Sequence, residues 1–230
     1  MRAAEWVGNP VFSIVFTVAA YVVELKLHLR QRWVPPIVAA CLPIVALLLI
    51  AHVPYPVYNR GGGLLTWWLG PATVALGMPM YRHGVALRAS LPRLVLIVMA
   101  GSVAGMTTAG VTAWAFGAPR AVVMSAVPKS VTTPIAIEVS RELGGIPPVT
   151  IVMVILAGVL GATFGTALLR LVGVREDRAI GAAMGTASHG IGTASLVRRS
   201  ELQASVSSWA MAAAGVFTSL LAAIVALFLR

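Results

Sequence analysis

Residues 121–141 read AVVMSAVPKSVTTPIAIEVSR, an apolar stretch interrupted by the run Val127-Pro128-Lys129-Ser130-Val131-Thr132-Thr133-Pro134. Proline removes a backbone donor and clashes with the preceding turn, so Pro128 and Pro134 are expected to break the helix on either side of Lys129. On both sides lie long apolar runs, 91–116 and 148–171. A bilayer core of about 30 Å needs about 20 apolar residues in helical form, which these runs supply. The central stretch is therefore a broken helix among spanning helices. Carbonyls and amides freed by the break cannot face lipid, where each unsatisfied group costs several kcal/mol, so they must be buried in protein or line a wet cavity.

Composition supports a membrane chain. Of 230 residues, 59% are hydrophobic and only 10% charged, with mean hydropathy +0.91, whereas a soluble domain carries about a quarter charged residues. Further unbroken spans are predicted over 10–29, 37–52 and 202–229. Two more apolar segments, 64–81 with Pro71 and Pro79 and 179–197 with Gly190 and Gly192, are punctuated enough to be broken or re-entrant. The fold class is thus an all-α polytopic membrane protein of about six to eight segments, filling one domain over 1–230.

The net charge of +10 does not point to nucleic acid, because the arginines lie in short gaps between apolar runs, where they set orientation. Lys26, Arg30 and Arg32 follow the first span and Arg82, Arg88 and Arg93 the third, whereas 53–63, read as a loop, holds only Arg60. The N-terminus is then outside. Placing Arg170, Arg175 and Arg178 inside requires 121–141 to enter and leave on one side; if both broken segments cross fully instead, there are eight passes. Glu5 and Trp6 lead straight into a span, so neither a secretory signal nor a transit peptide is expected, which favours a bacterial inner membrane. Cys41 has no partner cysteine and sits in an apolar run as a packing residue.

A weak internal similarity suggests duplication. GPATVALGMP followed by a span bearing GSVAG matches, in order, VPKSVTTP followed by a span bearing GVLGATFG. Paired discontinuous segments of this kind meet near the midplane in transporters built as inverted repeats. Gly101 with Gly105 and Gly161 with Gly165 are read as close-packing positions.

Lys129 is one of two lysines. An ammonium at membrane depth costs at least about 2.5 kcal/mol, so it needs a counter-ion, a ligand or water. An anion would answer that need, with Ser130, Thr132 and Thr133 adding hydroxyls and a helix resuming near Pro134 aiming free amides at the same point. The alternative is snorkelling to headgroups; the apolar run before Lys129 and the Thr-Pro break after it favour burial. Glu138 either pairs with Lys129 and carries a proton or sits in water with Arg141 and Glu142. His189, set in Gly185-Thr186-Ala187-Ser188-His189-Gly190-Ile191-Gly192-Thr193-Ala194, lies in a close-approach backbone with Ser188 and Thr193 as hydrogen-bonding neighbours, and suits substrate binding or proton coupling. No metal, cofactor or nucleophile constellation stands out, so an enzyme is not expected.

Three strings carry a resemblance. PKSVTTPIAIEVSRELGGIPPVT, GTASHGIGTA and YPVYNRGGGLLTWWLGPATVALGMPMY resemble the signature stretches of the LrgB (CidB) family, over nearly the whole chain. Val34-Pro35-Pro36 departs from it, since members tend to have a Leu-Asn-Pro type turn. The resemblance implies a small four-span membrane partner of the LrgA/CidA type, and, in plants, fusion of the two into a plastid glycolate/glycerate carrier. It implies movement of small carboxylates of the glycolate, glycerate or pyruvate class, by alternating access and with possible proton coupling through Glu138 or His189. The alternative it carries is a holin or antiholin-like regulator of murein hydrolase export and lysis. A homodimer in membrane lipid is the expected assembly.

Overall fold

The structure is a computed structural model describing residues 9–28, 36–68, 90–197 and 199–229, with isolated positions at 71, 74, 75, 78, 81 and 88. The expectations for Pro79, for most of the 64–81 break with its share of the internal similarity, and for the turn at Val34-Pro35 lie outside the described residues. Among the described residues every regular element is helical. Four helices among the described residues are long and apolar enough to cross a membrane: Pro10–Leu27, Leu91–Ala115, Pro147–Leu171 and Glu201–Phe228. A shorter apolar helix covers Ala39–Ile50. The chain divides into two compact units, Met1–Ala75 and Leu76–Arg230.

The first unit holds α1 (Pro10–His28), α2 (Pro36–Ile50) and α3 (Tyr55–Trp67). Asn9 starts α1 by accepting the Val11 amide at 2.9 Å, satisfying one of the free donors of the first turn. Helix α3 corrects the reading of 53–63 as a loop. Its three consecutive glycines argue against a helix by propensity, but tertiary packing prevails. Tyr58 is buried among Phe12, Phe16, Ile44 and Leu47, and its hydroxyl lies 2.8 Å from Thr17 Oγ1. Gly61 lies so close to the Pro10 carbonyl that no side chain would fit.

The second unit contains α4 (Leu91–Ala115), α5 (Arg120–Ala126), α6 (Thr133–Glu142), α7 (Pro147–Leu171), α8 (Asp177–Leu196) and α9 (Glu201–Leu229). Leu94 packs with Val206 and Val98 with Ala210 and Ala214, so α4 and α9 run side by side in the same direction. Arg178 at the start of α8 donates to Ser90 Oγ at 3.0 Å, which places the Arg93 end of α4 and the Arg175–Arg178 loop together. That is the arrangement charge counting requires when 121–141 does not cross.

Both punctuated segments turn back on themselves. Ser125, near the end of α5, accepts the Ile146 amide at 2.7 Å, although α6 lies between them in sequence; the chain entering through α5 therefore returns through α6. Likewise Asp177 at the start of α8 accepts from Ser200 Oγ at 2.8 Å and Gln203 Nε2 at 2.7 Å. Within α8 the reversal falls at one residue, His189, with φ 40° and ψ −138°. Its halves, 177–188 and 190–196, lie against the same stretch of α9: Gly185 abuts the Ser207 carbonyl and Thr193 Oγ1 lies 2.8 Å from Ser207 Oγ.

Candidate functional site

The first reversal is built by proline chemistry. After α5 the chain makes tight turns, with Lys129 N donating to Ala126 O at 3.2 Å and Val131 N to Pro128 O at 3.3 Å. Pro128 is fully buried. Thr132, extended at φ −63° and ψ 147°, precedes α6, which begins at Thr133 with Pro134 in its first turn. Pro134 thus starts a helix, a position where its missing N–H would be unpaired anyway.

The depth of this reversal follows from α4. A Cβ on Gly105 would stand 3.6 Å from Ser130 Oγ, and one on Gly101 would stand 3.0 Å from Thr186 Cγ2. Gly101 and Gly105 lie in the central turns of a 25-residue helix, so both reversals approach its middle. On the other side, Val131 packs with Ala136 and Val154 of α7, and His189 Nε2 lies 2.9 Å from the Val154 carbonyl. The two tips therefore meet between the midsections of α4 and α7. The glycine pairs serve close packing: Gly161 leaves room for Ser188, and Gly165 for the sulfur of Met184.

Lys129 and Ser188, one from each reversal, line one cavity of about 710 Å³. Lys129 Nζ donates to Ser130 Oγ at 3.2 Å. No carboxylate pairs with it among the described residues. The cavity is open to the outside: its other walls are apolar, come mainly from α7 around the wide turn Gly161–Gly165, where the backbone takes π-helical form, and are more than half exposed at Leu160, Phe164, Leu168 and Leu171. Such single wide turns occur often at functional sites.

The remaining candidates are placed elsewhere. The His189 ring is buried and faces Val154 and Gly158 rather than the cavity. Thr193 is fully buried, donating to the His189 carbonyl at 2.7 Å; it stabilises the reversal. Thr132 and Thr133 do not line the cavity. Glu138 is exposed and paired with Arg141 at 2.6 Å, an i,i+3 contact along the solvent-facing side of α6, and not with Lys129. Gly190 and Gly192 were expected to supply the break, but the positive φ belongs to His189. Gly192 instead lets the second half of α8 approach Ser188. Pro71 is helical and exposed.

Sequence reasoning missed the anchoring role of Asp177. This residue lies outside the four candidate spans, and hydrogen bonds from Gln203 and Ser200 hold its carboxyl below the usual range, with help from the charge of Arg170 and against partial burial. The signal was an acid at a helix start facing Ser200 and Gln203 across the returning chain. No group of three metal-ligating side chains occurs among the described residues.

The LrgB-like family profile matches residues 17–228. The chain belongs to the LrgB-like family. It is 37% identical over 211 residues to the uncharacterized protein YwbG of Bacillus subtilis (strain 168), covering 90% of this chain and 93% of that one. It is 36% identical to an uncharacterized protein of Haemophilus influenzae, covering 86% and 87%. It is 31% identical over 214 residues to the antiholin-like protein LrgB of Bacillus mycoides, covering 91% and 93%. No solved structure matches it significantly. In this LrgB-like chain, the tip bearing Lys129 falls within PKSVTTP and the tip bearing His189 within GTASHGIGTA, two of the strings that carried the resemblance.

Proposed function

We propose that the chain works in a bacterial inner membrane as an antiholin-like protein of the LrgB type, the reading that its antiholin-like relatives support better than carboxylate transport. The supporting observation is a family match over nearly the full chain. In this reading it acts with a small LrgA/CidA-type membrane subunit, as a homodimer, and has no enzymatic reaction of its own. The test is reconstitution with that small subunit in liposomes holding a dye much larger than a three-carbon acid. Addition of the chain should change dye release severalfold; release independent of it removes the antiholin-like role.

A second reading, passage of small carboxylates by alternating access, rests on a specific observation: Lys129, an ammonium with no carboxylate partner among the described residues, faces a cavity at the meeting point of two chain reversals. Its architectural counterpart is an inverted repeat in which 91–142 and 147–196 each consist of a span followed by a re-entrant pair of half-helices. Six to eight membrane segments then result from the four spans, the shorter apolar helix and the broken segments. Re-entrant backbone is tolerated at membrane depth only where protein or a wet cavity surrounds it, and two half-helix tips meeting at mid-depth suit a solute site. Proton coupling through Glu138 or His189 gains no support, since one is in an exposed ion pair and the other is hydrogen-bonded inside. Saturable, size-selective flux of labelled glycolate in proteoliposomes, lost in Lys129→Ala, is the expected result; unsaturable leakage in both proteins removes the transport reading.

A further inference from the structure

At the base of the second reversal a cleft of about 160 Å³ opens between the starts of α4 and α8, with Ser90, Arg93, Glu176 and Arg178 as its polar lining. Arg178 is half-buried and reaches across to α4, where it donates to Ser90 Oγ at 3.0 Å. Arg93 lies one helical turn beyond Ser90, on the same side of α4. Neither guanidinium forms an ion pair with a carboxylate among the described residues, and Glu176 is exposed. Two guanidiniums against one carboxylate leave one positive charge in excess. The two helices run inward together, since Gly101 of α4 abuts Thr186 of α8, and the lining turns apolar along them at Leu94, Ile97 and Ala182. Charge at the mouth with hydrocarbon below thus follows the axis of α4 from the end of a 25-residue candidate span.

We propose that this cleft binds the headgroup of a singly anionic phospholipid, of the phosphatidylglycerol class, from the leaflet that the arginine count places on the cytoplasmic side. Guanidiniums recognise phosphate oxygens through charge-assisted hydrogen bonds, and basic pockets between membrane helices on that face hold lipid headgroups. A soluble anion would use the arginines alone. A lipid also covers Ile97, which is more than half exposed on a candidate span and so lies against acyl chains. One phosphodiester cancels the excess charge. A dianionic headgroup would bring its second charge against Glu176, and a zwitterionic one would leave the excess in place, whereas glycerol hydroxyls can donate to the Glu176 carboxylate. Because the cleft joins α4 to α8, the bound lipid ties the base of the second reversal to the scaffold. The site holds under either reading of function above.

The experiment adds phosphatidylglycerol, phosphatidylethanolamine, phosphatidylcholine or glycerophosphoglycerol, the first headgroup without acyl chains, to the full chain in a neutral detergent. It reads retained lipid by native mass spectrometry and melting by intrinsic fluorescence, at about 0.15 M salt so that charges beyond about 8 Å are screened. Phosphatidylglycerol should be retained at least about fivefold more strongly than either zwitterionic lipid and should raise the melting temperature. Arg93→Gln, which breaks no hydrogen bond among the described residues, and Arg178→Gln should each weaken that retention about fivefold. Arg175→Gln, in the adjoining loop but outside the cleft lining, should weaken it less than about twofold, and Glu176→Gln should strengthen it. Monodisperse elution of each variant establishes folding. Equal retention of the three lipids overturns the proposal, as does an equal loss in Arg175→Gln, which marks attraction to surface charge in general. Stabilisation by glycerophosphoglycerol at the concentration where the lipid acts shows a soluble phosphodiester site and overturns the lipid assignment. Preference for phosphatidylethanolamine, lost in Glu176→Gln, would show the carboxylate holding an ammonium and overturns the anionic assignment.

Discussion

The two reversals, 120–142 and 177–196, reach the same depth by different means. The first uses prolines: Pro128 is buried in a turn, Pro134 restarts the helix, and several non-helical residues lie between. No single residue there takes a positive φ. The second stays helical to Ser188, reverses at His189 alone in a backbone region that non-glycine residues rarely adopt, and resumes at Gly190. The strained residue is held by its own ring against Val154, while Thr193 bonds its carbonyl. The relaxed tip leaves a charged side chain facing a cavity; the strained one is pinned on both sides. Strain of this kind persists only where the surroundings over-determine it, which makes the second reversal a support; in the transport reading the first is the one that meets the solute.

That contrast is broken most directly at Lys129. In the transport reading, Lys129→Gln should remove solute binding completely while leaving thermal stability in nanodiscs nearly unchanged, because Lys129 has no ion pair among the described residues. If melting falls by many degrees with binding intact, the roles assigned to the two tips are reversed. At the pinned tip the opposite pattern is expected. His189→Ala gives up the bond to Val154 while keeping a side chain at φ 40°, costing about 1–3 kcal/mol of stability. His189→Gly should recover about 1 kcal/mol of that loss, since glycine tolerates this backbone. Denaturation of the two variants side by side checks the order; alanine equal to or better than glycine would show that the backbone there is not strained.

How much of this was legible in sequence depended on what each feature requires. The spans needed only apolar length, and α4 and α7 begin within a residue of the predicted positions. The break at 121–141 followed from its prolines, but the arginines allowed either an entry and exit on one side or eight full passes, and only the contact between Ser125 and Ile146 decides for the reversal. The direction of a side chain was not legible: nothing in GTASHGIGTA says that the imidazole turns toward Val154 and away from the cavity. Nor were the cavity walls, because Leu160 and Phe164 read as ordinary residues of a spanning helix until Ser188 and Lys129 are brought against them. The glycines of α3 misled for a related reason, since local propensity carries no information about Tyr58 finding Phe12 and Ile44.

A smaller effect is expected where the second reversal is tied at its base. Asp177 accepts from Gln203 and Ser200, and its carboxyl is held below the usual range by those bonds. A depressed folded-state pKa means that this stabilisation is full above the ordinary carboxylate range and disappears as pH falls through the lowered value. Asp177→Asn should therefore lower the melting temperature modestly at neutral pH and flatten its acid dependence below about pH 4. Parallel acid dependence in wild type and variant would show that the tie does not ionise as described.

The smallest effect belongs to Glu138, and it sharpens the comparison by what it should not do. Its carboxylate is paired with Arg141 at 2.6 Å, yet both side chains are more than half exposed, and an exposed i,i+3 pair contributes at most about 0.5 kcal/mol. Glu138→Gln should leave stability within that margin and leave Lys129-dependent binding and its pH profile unchanged, because α6 carries this residue on its outer side while the tip faces inward. A changed pH profile of binding would mean that the carboxylate reaches the ammonium in another conformation of the first reversal, and that the relaxed tip moves where the pinned one does not.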